Sequence, residues 1–207
     1  MPEAQADSST EARQQSVRAF KKSVILDSAQ RVLERDGIEG ATVRAIAKEA
    51  GYTPGALYAY YSNKDDILAD LLCRSLGQAA RAVRHHVEAG DQHTLHPTEL
   101  ATAFGAYYRQ ETGEFDLLLT VFQSQRALNL SPDIARTLNG RLIAALSPIA
   151  DALEATGRWE RQPASEATMQ AAALGLGILV LENSGRLSAL GMDGPSLTRS
   201  GFATLLS

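Results

Sequence analysis

The segment "KEAGYTPGALYAYYSNK" (48–64) admits few folds. Gly51 offers a backbone position that tolerates positive φ, and Thr53–Pro54 follows at once as an N-cap and a first-turn proline. A helix that stops near Gly51 must therefore restart at Thr53, across a turn of minimal length. Thr42 caps the arriving helix, in which Val43, Ile46 and Ala47 face inward. Both helices are short, because "SNKDD" (62–66) carries the N-cap signal of yet another. Ala47 is small where the two helices cross, and Gly51 lies four residues later at the turn, which is the spacing of a helix-turn-helix.

Residues 54–61, placed at about 100° per residue, put Leu57 and Tyr61 on one face, in line with the inward face of the preceding helix. Gly55 and Ala59 point the other way, with Ala56 beside them. Tyr58 and Tyr60 fall on opposite flanks. The outward face is thus a strip of very small side chains bordered by two phenols. Such a strip suits the major groove of a DNA duplex, with flanking hydroxyls donating to the phosphates of the groove walls. The competing reading is a helical hairpin whose tyrosines cover a subunit contact, a role that would favour larger apolar residues than Gly55, Ala56 and Ala59.

Helical periodicity extends through the chain, and no sustained apolar alternation suggests strands. The expected fold is all-α. A polar arm (1–15) without regular structure precedes a three-helix helix-turn-helix domain (16–62), and a larger helical domain follows (63–207). The first helix spans about 16–36, with Ile25, Ala29, Val32 and Leu33 inward and Gly37 as its stop. Later helices are expected near 63–88, 97–112, 114–129, 132–156, 164–190 and 195–206, and Pro148 would kink the fourth of these. The net charge is −4, but residues 12–64 hold nine Lys/Arg against five Asp/Glu, so the basic character sits at one end, where a polyanion would bind. No run of about 18 apolar residues and no apolar leader core is present, so neither a membrane span nor a secretory signal is expected. Cys73 is the sole cysteine. With no disulfide possible within the chain, a reduced, cytoplasmic setting is expected. His93 and His96 lie in a loop without companion cysteines, so no metal site is expected, and no cofactor motif is present.

The stretch "ILDSAQRVLERDGIEGATVRAIAKEAGYTPGALYAYYSNKDDILADLL" resembles the DNA-binding domain of the TetR family of bacterial repressors. The shared features are a Gly after the first helix, Thr before the second, Ile-Ala within it, "AG" before the turn, "LY" in the reader helix and an aromatic-x-Asn-Lys entry into the fourth helix. Tyr60 and Tyr61 stand where many relatives carry His then Phe. The resemblance implies that Thr42, Tyr58, Tyr60 and Lys64 hold phosphates and that Arg44, Thr53, Pro54, Gly55 and Ala56 lie at or near base edges. Arg44 reads either guanine or phosphate, or is merely solvated, and Ala56 or Ala59 touches a thymine methyl. Arg13, Arg18, Lys21 and Lys22 either follow the backbone or form a solvated face.

For residues 73–207 the resemblance implies a helical regulatory domain that dimerises and binds a small-molecule effector. Its ligand set would be Phe104, Tyr107, Tyr108, Phe122 and Gln123, with core packing as the competing explanation of that aromatic stripe. The apolar segment 166–187 contains Ala171/Gly175 and Ala173/Gly177, small residues four apart. With the helix near 132–156 it would form a four-helix contact across a two-fold axis. The expected protein is a homodimeric transcriptional regulator, a repressor released from a palindromic operator by an effector, and not an enzyme. The alternatives are a helical protein-interaction module or a small helical enzyme.

Overall fold

A computed structural model describes the backbone of residues 3–88, 96–123 and 129–207, and their side chains apart from 3–11, 86–88 and 123. Every regular element among them is helical: α1 (Glu3–Gly40), α2 (Val43–Glu49), α3 (Pro54–Leu57), α4 (Lys64–Glu88), α5 (Pro97–Gln110), α6 (Thr112–Gln123), α7 (Pro132–Ala155), α8 (Arg161–Asn183), α9 (Arg186–Ala189) and α10 (Gly194–Leu205). The helix α1 takes in residues 3–15, which the sequence reading leaves irregular. Ala, Glu, Gln and Arg dominate that stretch and are good helix formers. The helical backbone breaks at Gly37 (φ 67°), where the sequence places its end. The chain forms two compact units, one comprising the chain up to Leu72 with Leu117–Arg136, the other Cys73–Asp116 with Thr137–Ser207.

In the first unit Ile25, Ala29 and Val32 of α1 are buried with Ile46 and Ala47 of α2, Leu57 and Tyr61 at the reader, and Ile67, Leu68 and Leu71 of α4. Each large apolar side chain so buried contributes about 2 kcal/mol. Outside this core, Arg31 and Arg35 of α1 both bond Glu49 of α2, at 2.9 and 3.0 Å. The start of α4 is held reciprocally: Asn63 Oδ1 accepts from Asp66 N–H, and Asp66 accepts from Ser62 N–H. The same stretch grips the segment before α7. Asn63 Nδ2 donates to the Asn129 carbonyl (2.6 Å), Asp65 accepts from Asn129 N–H and Asp66 from Ser131 N–H.

In the second unit Val83, Leu100, Leu153, Ala164, Ala171 and Phe202 share one core. By length and composition α8 is apolar enough to cross a membrane. Here it packs on α5 and α10. Gly175 permits the close approach of α10, since a Cβ there would stand 3.1 Å from the Phe202 ring. The two small pairs of α8 therefore divide, with Ala171/Gly175 buried and Ala173/Gly177 exposed. Helix α10 lies along α8, and Ile149 and Leu153 of α7 share a core with Ala164 and Ala171 of α8, while Ile143 of α7 is exposed. Gly185, at φ 71°, ends α8 earlier than the expected 190. Helix α7 runs through Pro148 as one element.

Candidate nucleic-acid interface

The geometry of residues 42–61 follows from their caps. Thr42 Oγ1 accepts from Ala45 N–H (3.1 Å), and Thr53 Oγ1 accepts from Ala56 N–H (3.3 Å). A capping hydroxyl uses its lone pair and keeps its own proton, so both threonines remain donors toward an incoming acceptor. Between the helices Gly51 takes φ 70°. Its N–H donates to the Lys48 carbonyl, and Tyr52 N–H to that of Ala47, the paired bonds of a Schellman turn. The regular part of α3 is only Pro54–Leu57, but Tyr60 and Tyr61 N–H both donate to the Leu57 carbonyl, so the helical turn extends to Tyr61.

Gly55 and Ala59 are exposed, Ala56 is half-buried, and the Tyr58 side chain is 58% exposed. Nothing from the chain covers Gly55: a Cβ there meets only Thr53 Oγ1, at 4.0 Å. Pro54, Thr42 and Arg44 are also exposed, and Arg44 forms no ion pair among the described residues. Tyr61 is buried (3% exposed) and donates its phenol to Asp70 at 2.7 Å. The face of small side chains therefore stands clear of the protein, bordered by Tyr58 and Tyr60.

Two residues have roles that sequence spacing left open or hid. Lys64 is half-buried, and its Nζ donates to the Ile38 carbonyl at 2.6 Å, tying α4 to the end of α1. An ammonium has three protons, so two remain for a phosphate. Arg18 of α1 donates to the Ala59 carbonyl (3.3 Å) and lies 5.3 Å from the Tyr60 ring centroid, bracing the last turn of the reader. Its partners are 41 and 42 positions away, and no local pattern signals such a contact. Lys22 similarly pairs with Asp70 (3.2 Å) over the Tyr61 ring. Arg13 is exposed, and Lys21 is half-buried.

The expected ligand residues separate. Phe104, Tyr107 and Tyr108 form an edge-to-face cluster, with centroids 5.4 Å (Phe104–Tyr108) and 5.2 Å (Tyr107–Tyr108) apart. Tyr108 is fully buried, as is Phe115. Phe122 is exposed and belongs to the other unit, and the Gln123 side chain lies outside the described residues. Burial pushes the Tyr108 phenol up to about 12. Burial, then the bond to Glu114, push that of Tyr107 higher still. Among the described residues no group of His, Cys, Asp and Glu could hold a metal. His93 lies outside them. His96 caps α5, and Cys73 is buried.

An all-helical chain that presents an uncovered reader helix behind a Schellman turn falls in the helix-turn-helix class. Residues 25–71 match the family model for bacterial regulatory proteins of the tetR family. It is 27% identical over 106 residues to the fatty acid metabolism regulator protein of Bacillus subtilis (strain 168), an alignment covering 51% of this chain and 53% of that one. It is 31% identical over 71 residues to the nicotine-responsive transcriptional repressor HdnoR of Paenarthrobacter nicotinovorans, covering 34% and 37%. The chain thus spans about half or less of the length of these relatives. Its fold is that of the Thermus thermophilus tetR-family repressor FadR solved with lauroyl-CoA, at 22% identity and a TM-score of 0.64, over 89% of this chain and 93% of that one.

Proposed function

We propose that the protein is a transcriptional regulator that binds a two-fold symmetric operator as a homodimer and is released by a small-molecule effector held in its second unit. The observation that carries this reading is the uncovered strip Gly55–Ala56–Ala59 between Tyr58 and Tyr60. A side-chain-poor helix face can approach base edges closely, and hydroxyls and cations at its borders supply the phosphate contacts. On this reading Thr42, Tyr58, Tyr60 and Lys64 engage phosphates, and Arg44, Thr53, Pro54, Gly55 and Ala56 face the bases. Arg44 is the strongest candidate for a bidentate guanine contact.

Support for dimerisation comes from the outward side of α8, where Met169, Ala173, Gly177 and Leu181 form an exposed stripe at helical spacing, with Leu197 of α10 also exposed. Two copies joined there would present two readers to successive major grooves, about 34–36 Å apart. Release works by linkage: an effector that binds better to the conformation unable to grip the operator lowers DNA affinity in proportion. Helices α4, α6 and α7 each supply residues to both units and are covalent routes for such coupling.

The test is selection of duplex sequences from a randomised pool by the purified protein, followed by mobility shift. The expected result is a palindromic consensus whose retardation weakens steeply with salt and is lost in Tyr58→Ala and Arg44→Ala. Failure to enrich any duplex at low salt would refute the proposal.

A further inference from the structure

We propose that the second unit holds a receptor for a small organic cation, centred on the Glu114 carboxylate and edged by the aromatic rings of α5. This deepens the effector part of the function proposed above and rests on it. Ser75 of α4 and Tyr107 of α5 both donate to the same carboxylate oxygen, Oε2, at 2.7 and 2.5 Å. The other oxygen, Oε1, accepts nothing among the described residues, and no Lys, Arg or His among them pairs with this carboxylate. Glu114 is half-buried, so its charge is partly withdrawn from water and lacks a counter-ion from the chain.

The surroundings hold this anion in place. Ser75 Oγ also lies 3.3 Å from the hydroxyl of buried Tyr108. Desolvation keeps the Tyr107 proton on its phenol, so Tyr107 is a donor in this bond. The Tyr107 ring adjoins the carboxylate through that bond, and Phe104 and Tyr107 pack edge-to-face on buried Tyr108. Tyr107 also lines a groove of about 450 Å³, a volume suited to a small ligand. Ala103 and Ala106 form apolar wall there, Thr98 contributes a buried hydroxyl without a partner, and Glu99 and Arg199 bring opposite charges.

A protonated amine on an aromatic or alkyl body suits this arrangement, in which Tyr107 both bonds the carboxylate and lines the groove. Its N–H donates to Oε1, its charge pairs with the carboxylate, and its body gains contact with the Tyr107 ring. A ligand headed by a carboxylate would meet repulsion at this point.

Calorimetric titration of the full-length protein near neutral pH with 1-naphthylmethylammonium, 1-naphthylmethanol and 1-naphthoate tests the proposal with three ligands of matched body. The cation should bind at least about tenfold more tightly than the alcohol or the anion. Glu114→Gln, which keeps an acceptor for Ser75 and Tyr107, should abolish that preference, whereas Glu114→Asp should keep much of it. Equal binding of cation and alcohol by the wild-type protein, preference for the anion, or an unchanged preference in a folded Glu114→Gln variant would each overturn the proposal. The wild-type comparison decides even if the Gln variant does not fold. A parallel mobility shift separates the two readings: DNA bound with the cation ignored removes the effector class and leaves the regulator, while cation bound with no DNA retained removes the regulator alone.

Discussion

Gly51 and Gly55 lie four residues apart and need to be glycine for opposite reasons. Gly51 sits at φ 70° with nothing within 4 Å of its missing Cβ, so its constraint is conformational. Gly51→Ala should cost about 1–2 kcal/mol in urea unfolding, because an L side chain in the left-handed region meets its own backbone. Gly55 has no such φ, and a Cβ there approaches only Thr53 Oγ1. Gly55→Ala should therefore leave stability unchanged or raise it by up to about 1 kcal/mol through helix propensity. Gly55→Leu should fold as well and yet lose operator binding in a mobility shift, because the side chain fills the space a base pair needs. Loss of stability in Gly55→Leu, with DNA binding retained, would mean that the strip faces protein. Tyr58 offers a parallel case. Its exposed phenol gives Tyr58→Phe little effect on unfolding, within about 0.5 kcal/mol, while the phosphate contact proposed for it predicts weaker DNA binding.

Between elements, the contacts that sequence pattern revealed are those made by neighbours along the chain. The caps at Thr42 and Thr53, the stop at Gly37, the Gly51 turn and the buried role of Tyr61 all depend on residues a few positions apart, so spacing alone was enough. The reach of Arg18 to Ala59, the Lys64 bond to Ile38, the grip of Asn63 and Asp66 on residues 129–131 and the pairing of α8 with α10 join distant positions, and no local periodicity encodes them. For the same reason the aromatic stripe Phe104–Tyr107–Tyr108 was visible as a face, but the carboxylate beside it was not. Glu49 joins α1 to α2, and hydrogen bonds from Arg31, then Arg35, hold its pKa below the ordinary value. A lowered carboxylate pKa stabilises the fold above the unfolded-state value, and that contribution fades as pH falls through the folded-state value. Glu49→Gln should thus lower the melting temperature at neutral pH, and the gap to wild type should close on the acid side. A gap independent of pH would mean that these pairs do not act through charge. At the α8–α10 crossing, Gly175→Val should cost about 1–3 kcal/mol by overpacking against Phe202, and Phe202→Leu in the same chain should recover part of it.

At the scale of the whole molecule the argument concerns how much DNA one reader can hold. A helical turn as short as 54–61 touches only a few base pairs, so strong, selective binding requires a second copy related by a two-fold axis, with matching half-sites. On the proposed reading that copy attaches at the exposed α8 stripe, where Ala173 is exposed on a helix and can take Glu without harm to the monomer. Across a two-fold axis a single Ala173→Glu substitution places two like charges near each other in an interface that excludes water, at a cost of several kcal/mol to association. Sedimentation equilibrium should accordingly show a dimer for the wild-type chain and a monomer for Ala173→Glu, with unchanged helical circular dichroism. DNA binding should fall in the same variant, and the slope of log affinity against log salt should drop to roughly half, because a lone monomer neutralises half the phosphates. A wild-type chain that sediments as a monomer while still binding a palindrome tightly would place the two-fold contact on the DNA and leave the α8 stripe without this role.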